Sequence, residues 1–245
     1  MEKQIIKRNL NLVIFISVMS VSALVMLFEG YLKTSLRNKP FMIFGGLIIL
    51  FDFYIVLCQM STKRLISLIP VAGVAGYITQ IIGTKCNIWV YTNHGKTFYI
   101  AIFMFISVAI AMYGLTTKIS LLIQSISRVN NKLFNMVWIG CLFVFLIITS
   151  QKFKSEIDAS FWVYYSFLCA FALYSSLKLN LSALMGITIS AWLIGFASEY
   201  FGSQAGIWLF EKNNNFPPAF LVGGSWPLEF TLHYCLSAMI AKEEY

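Results

Sequence analysis

Two glutamates, Glu199 and Glu229, interrupt stretches that are otherwise apolar: Glu199 in Ala197-Ser198-Glu199-Tyr200-Phe201, Glu229 in Trp226-Pro227-Leu228-Glu229-Phe230. An ionised carboxylate facing hydrocarbon costs about 2.5–3.5 kcal/mol on insertion scales, so such residues face a partner or a cavity. No Lys or Arg lies centrally in either stretch. A carboxyl group withdrawn from water without a cation keeps its proton, because desolvation disfavours the charged form. The chemistry that follows is proton donation in a dry site. His233 lies one helical turn beyond Glu229 at i+4 and is placed to bond it, a structural bond from the carboxyl to backbone being the alternative. Asp52, in Leu50-Phe51-Asp52-Phe53-Tyr54, is either a third functional acid or an interhelical hydrogen bond. Glu29, at the edge of an apolar stretch, reads as a snorkelling interface residue.

The elements that position these acids follow from composition. The chain has 245 residues, 59% of them hydrophobic and 11% charged, with a mean hydropathy of +0.77. That leaves too few polar residues to cover a water-soluble globule of this size. Crossing a bilayer takes about 17–25 mainly apolar residues per helix. Such stretches occur at 12–28, 41–60, 65–83, 97–115, 133–150, 161–177, 179–201 and 219–241. The expected fold is an all-α integral membrane protein of about eight transmembrane helices, seven being the alternative count. The apolar piece 119–127 is too short to cross and reads as an extension of the fourth helix or as interfacial. Pro227, two residues before Glu229, either kinks the last helix or opens it.

A net charge of +8 invites a nucleic-acid reading, but the basic residues are scattered among short loops and form no patch. They serve as topology signals and favour, by a small margin, a cytoplasmic N-terminus. Five cysteines without Cys-x-x-Cys spacing give neither a metal site nor a disulfide framework.

The chain also repeats itself. Gly83-Thr-Lys-Cys-Asn-Ile88-Trp89-Val-Tyr91 returns as Gly202-Ser-Gln-Ala-Gly206-Ile207-Trp208-Leu-Phe210, an offset of 119 from Trp89 to Trp208. The same shift aligns Ala72 with Ala191, Gly76 with Gly195 and Gln80 with Glu199. Two four-helix repeats are expected, 1–118 with a degenerate motif and 119–245 with the acids. An offset of four helices is even, so the repeats run parallel, their Trp loops share one face, and a ligand site is expected between them. As single residues, Trp89 and Trp208 also suit an interfacial aromatic belt.

The series from Glu199 through Gly202, Gly206, Trp208 and Phe210 to Trp226-Pro227-x-Glu229 resembles the membrane carotenoid cyclases of the heterodimeric and fused lycopene cyclase type. It is also similar to the related carotenoid hydratases. The likeness covers about 45 residues well and the remainder only as helix count. The resemblance implies an integral membrane enzyme of carotenoid or isoprenoid biosynthesis. Such an enzyme cyclises or hydrates a polyene end group through a carbocation, without metal or redox cofactor. It implies Glu229 as the Pro-x-Glu acid, Glu199 as the helix-end acid, and Trp208 with Phe210 as the aromatic loop. Tyr200 and Trp226 would add aromatic faces for the cation. The first half departs from the pattern, with Gln80 in the place of Glu199 and neither Pro nor acid after its Trp loop, and Phe230 follows Glu229 where the family doubles the acid. One-ended cyclisation, hydration and another isoprenoid substrate stay open. Expected partners are a hydrophobic isoprenoid or carotenoid substrate and the lipid bilayer; a homo-oligomer is compatible. The competing class is a proton-coupled transporter or lipid-handling protein, since parallel repeats with intramembrane acids also describe carriers.

Overall fold

A helix satisfies its backbone polar groups within its own segment, the condition that hydrocarbon imposes, and each apolar stretch folds accordingly. A computed structural model describes residues 2–28, 38–91, 99–126, 132–151, 157–210 and 221–244. Among these are eight α-helices: α1 (Glu2–Phe28), α2 (Lys39–Cys58), α3 (Thr62–Lys85), α4 (Tyr99–Ile126), α5 (Lys132–Ser150), α6 (Ala159–Ser176), α7 (Leu181–Gln204) and α8 (Trp226–Ala241). Two three-residue strands, β1 (Trp89–Tyr91) and β2 (Trp208–Phe210), follow α3 and α7. Residues 119–126 continue α4 without a break, so a division at 118/119 falls inside that helix. Glu29 lies outside the described residues.

Six of the helices, all but α6 and α8, are long and apolar enough to cross a membrane. On α1, α2 and α5 large apolar side chains such as Val13, Ile16, Leu47, Leu50, Val137 and Ile148 stand exposed, a cover suited to lipid. The protein is therefore read as a membrane protein. Helix α8 needs no such cover. Nearly all its residues are buried against other helices, including Glu229, Thr231, His233 and Ser237, and polar groups at membrane depth are tolerated where protein surrounds them.

Polar clips fix which helix ends meet. At one end, Asn11 of α1 donates to the carbonyls of Val56 and Met60 at the close of α2. Asn135 of α5 likewise donates to the carbonyls of Ser176 and Leu179 at the close of α6. Helix-end carbonyls lack an intrahelical donor, and each buried amide supplies one. At the other end, Asn38 caps α2 and reaches the Gln204 carbonyl at the end of α7, 2.9 Å away. Asp158 caps α6 and forms an ion pair of 2.5 Å with Lys85 at the end of α3. Lys85 and Gln204 are one pair of the 119-residue alignment.

The inner bundle is α3, α4, α7 and α8, in which α4 packs on α7 and α8 on α3. Outside it, α1 pairs with α2 and α5 with α6, while α2 leans on α4 and α6 on α8. Each contact of the first four helices thus has its counterpart among the last four. The loops leaving α3 and α7 also match. Ile88 N–H bonds the Gly83 carbonyl and Ile207 N–H the Gly202 carbonyl, with Asn87 (φ 50°) and Gly206 (φ 68°) in left-handed conformation between. This closure needs a residue that tolerates positive φ, which Gly does freely and Asn better than most.

Candidate functional site

Strands β1 and β2 pair antiparallel, Trp89 opposite Phe210 and Tyr91 opposite Trp208. Successive side chains on a strand point to opposite faces, so Val90 and Leu209 are exposed while the four aromatics turn inward and are buried. Trp89 meets Phe210 edge-on at 6.4 Å, and Tyr91 meets Trp208 the same way at 6.3 Å. The result is a small aromatic lid. Trp89 lies so close over Gly83, and Trp208 over Gly202, that a Cβ at either glycine would overlap the indole.

Beneath the lid lies a recess shared by both halves of the chain. Trp89, Tyr91 and Trp208 roof it, Gln80 and Glu199 line it from α3 and α7, and Phe105 and Trp226 line it from α4 and α8. The Phe105 and Trp226 rings stack nearly parallel, 5.3 Å apart and 5° inclined. Gly76 permits the approach of Phe105 and Gly195 that of Trp226. Its interior is about 30 Å³, room for about two waters.

The two lining carboxamide and carboxyl groups are bonded differently. Gln80 Oε1 accepts from Trp89 Nε1 at 2.9 Å and from the Tyr91 hydroxyl at 2.6 Å, which latches the first half of the lid. Glu199 Oε1 accepts from Trp226 Nε1 at 3.2 Å. Trp208 comes near the same carboxyl, yet its Nε1 closes no hydrogen bond among the described residues.

Glu229 shares the first turn of α8 with Trp226 but does not itself line the recess. It is 2% exposed, and its Oε1 accepts from the Thr79 hydroxyl at 3.0 Å and the Tyr165 hydroxyl at 3.2 Å. Thr79 is also 3.0 Å from the Tyr164 hydroxyl, so a short run of hydroxyls from α3 and α6 ends on this acid. Pro227 opens α8: a π turn, Leu221–Ser225, leads in, Trp226 and Pro227 form the first turn and Glu229 follows within it. Proline's missing N–H falls where no intrahelical acceptor is available. Trp192 steadies the turn by donating to the Gly223 carbonyl at 3.1 Å.

The structure thus gathers Glu199, Trp208 and Trp226 in one recess, with Glu229 beside it. The other candidates fall outside. His233 does not bond Glu229 among the described residues; it packs edge-on against Phe105 and Phe230, with its Nε2 unpartnered. Phe210 belongs to the lid, against Trp89. Tyr200 stacks on Phe196 at 6.2 Å, on the helix side away from the lining. Asp52 accepts a hydrogen bond from Ser107 of α4, so it joins α2 to α4. Sequence reasoning missed Thr79, Tyr164 and Tyr165 altogether. It met Gln80 only as the residue aligned with Glu199. The alignment held the further signal, since Thr79 pairs with Ser198, another residue of the recess. The tyrosines of Val163-Tyr164-Tyr165-Ser166, polar tips inside an apolar helix, were the remaining clue.

Searches against family models, curated proteins and solved structures return no match to this chain. The site is accordingly argued from its own chemistry. No cluster of His, Cys, Asp and Glu fit to hold a metal occurs among the described residues.

Proposed function

We propose that the protein is a membrane enzyme that protonates the end group of a polyene isoprenoid and directs the resulting cation to a ring or an alcohol. The observation that carries this is Glu229: a carboxyl 2% exposed, held at one oxygen by two hydroxyls and by no cation among its described partners, beside a recess walled by Trp and Phe. Donation of its proton to a terminal C=C breaks the π bond and leaves a tertiary cation. Attack by a neighbouring C=C closes a ring, and loss of a proton completes an isomerisation. Capture by water followed by loss of a proton gives the alcohol instead. The stacked Phe105 and Trp226 and the indole of Trp208 supply π faces for the cation. Glu199, hydrogen-bonded to Trp226, is placed to take up the departing proton and return it towards Glu229.

The resemblance to carotenoid cyclases and hydratases rests on Glu199, Trp208, Phe210, Trp226, Pro227 and Glu229. Support for a duplicated four-helix unit comes from the matching clips, caps and loop closures of the two halves. In this reading the halves share one site. Glu199 has Gln80 as its counterpart, and α4 carries no acid to match Glu229 of α8. The reaction is therefore one-ended. The test is Glu229→Gln expressed in a host that accumulates lycopene, read by pigment chromatography. Loss of a general acid lowers conversion about 10²-fold or more; undiminished conversion would sink the assignment. If the wild-type chain leaves every pigment unaltered while reconstituted vesicles show Glu229-dependent proton-coupled uptake, the carrier class replaces it.

A further inference from the structure

A second cavity lies at the end of the molecule opposite the lid, between the first turns of α1 and the close of α2. It measures about 80 Å³ and is lined by Lys7, Arg8, Asn11, Gln59 and the chain at Leu57–Cys58. That is several times the roughly 10–15 Å³ that one water requires. No acidic residue lines it among the described residues. Asn11 is 1% exposed and its Oδ1 has no partner; both Gln59 side-chain atoms, Nε2 and Oε1, are likewise buried without one. Unpaired polar groups in such a place call for a ligand that restores their hydrogen bonds.

The polarity of the cavity decides the ligand. A helix C-terminus ordinarily repels anions, but here the Asn11 amide N–H groups already cover the Val56 and Met60 carbonyls. What remains in the lining is two cationic residues, Lys7 and Arg8, with the unpartnered side-chain oxygen of Asn11 and the unpartnered amide of Gln59 buried beside them. Cationic donors with a neighbouring acceptor match a phosphate ester that bears a hydroxyl. We infer that this cavity holds the phosphate of a glycerophosphate headgroup, with the Asn11 and Gln59 oxygens receiving its hydroxyls. Lys and Arg beside membrane helices are common readers of such groups.

The test uses the full chain in uncharged detergent and native mass spectrometry with phosphatidylglycerol and phosphatidylcholine of identical acyl chains. Phosphatidylglycerol should be retained as a single adduct at roughly ten-fold lower concentration. Lys7→Ala with Arg8→Ala should abolish the preference, and Gln59→Met should weaken it without lowering the lipid-free unfolding temperature. Lys63→Ala removes a charge at the same end but outside the cavity and should leave the preference intact. Equal retention of the two lipids, or an equal loss in Lys63→Ala, would overturn the site. A competition arm with soluble glycerol phosphate separates the sources: displacement assigns the site to the headgroup phosphate itself, persistence to the phosphate as presented on a lipid.

Discussion

At the scale of single residues, the question is which groups act on a proton and which hold the one that does. Glu229 Oε1 takes both hydroxyl donors, from Thr79 and Tyr165, so in the proposed reaction the proton to be donated belongs on Oε2. Tyr165→Phe removes one donor while leaving the acid in place. In pigment assays of the lycopene-fed host it should lower conversion roughly ten-fold, less than the loss in Glu229→Gln, because a positioning bond contributes about 1–1.5 kcal/mol. A loss equal to that of Glu229→Gln would make the tyrosine itself the donor. Glu199→Gln makes a sharper case, because it recreates at α7 the residue that α3 carries as Gln80. If Glu199 takes the departing proton, the variant should shift the product ratio from ring towards alcohol or stall before release; an unchanged product profile removes it from the chemistry. The acids were legible in the sequence because charge in an apolar run is costly and therefore visible. Thr79 and Tyr165 were not, since a threonine or tyrosine in a helix is common and only folding brings them to one carboxyl.

At the scale of elements, the lid depends on two glycines that leave room for two indoles. Gly202→Ala would drive a Cβ into Trp208, and overpacking of this kind costs typically about 1–3 kcal/mol. The expected result is a lower unfolding temperature in detergent and a displaced Trp208 fluorescence; an unchanged melting curve would mean that the lid yields freely. Among the helix clips, Asp158 carries a pH signature. The Lys85 side chain hydrogen-bonded to it, and then Ser160, hold its carboxyl below the usual carboxylate range. A group whose folded value is depressed adds stability above its unfolded value, about 3.9, and loses that contribution as pH falls through the folded one. Asp158→Asn should therefore lose this contribution at neutral pH and flatten the acid side of the stability profile below about pH 4, so that variant and parent converge as pH falls, measured by thermal melts from neutrality into the acid range. The loop closures were readable beforehand, since Asn87 and Gly206 sit at matching places before Ile-Trp. The strand pairing was not, because three residues carry no alternation long enough to announce a strand. The amide clips of Asn11 and Asn135 were also hidden, because they fall outside the 119-residue register.

At the scale of the whole molecule, comparing the two repeats points to the second half as the one that carries the acids, while the recess takes its lining from both halves. The acids do belong to the second half, but α3 supplies the hydroxyl that holds Glu229, the carboxamide opposite Glu199 and one strand of the lid. What was legible was the set of helices and the location of the charge; what was not was that the recess forms only when α3 and α4 meet α7 and α8. Cutting the chain after α4, in 127–131, leaves each fragment with four of the described helices and divides none of them. Neither fragment alone should convert a polyene, since one lacks both acids and the other lacks Thr79, Gln80 and half of the lid. Co-expressed, they should reassemble, because α4 against α7 and α3 against α8 are the most extensive contacts between the two fragments. Co-purification through a tag on one fragment, with conversion restored in the same cells, is the outcome that a shared site requires. Conversion by the 132–245 fragment alone would show instead that the second half is sufficient, and would return Thr79 and Gln80 to the scaffold.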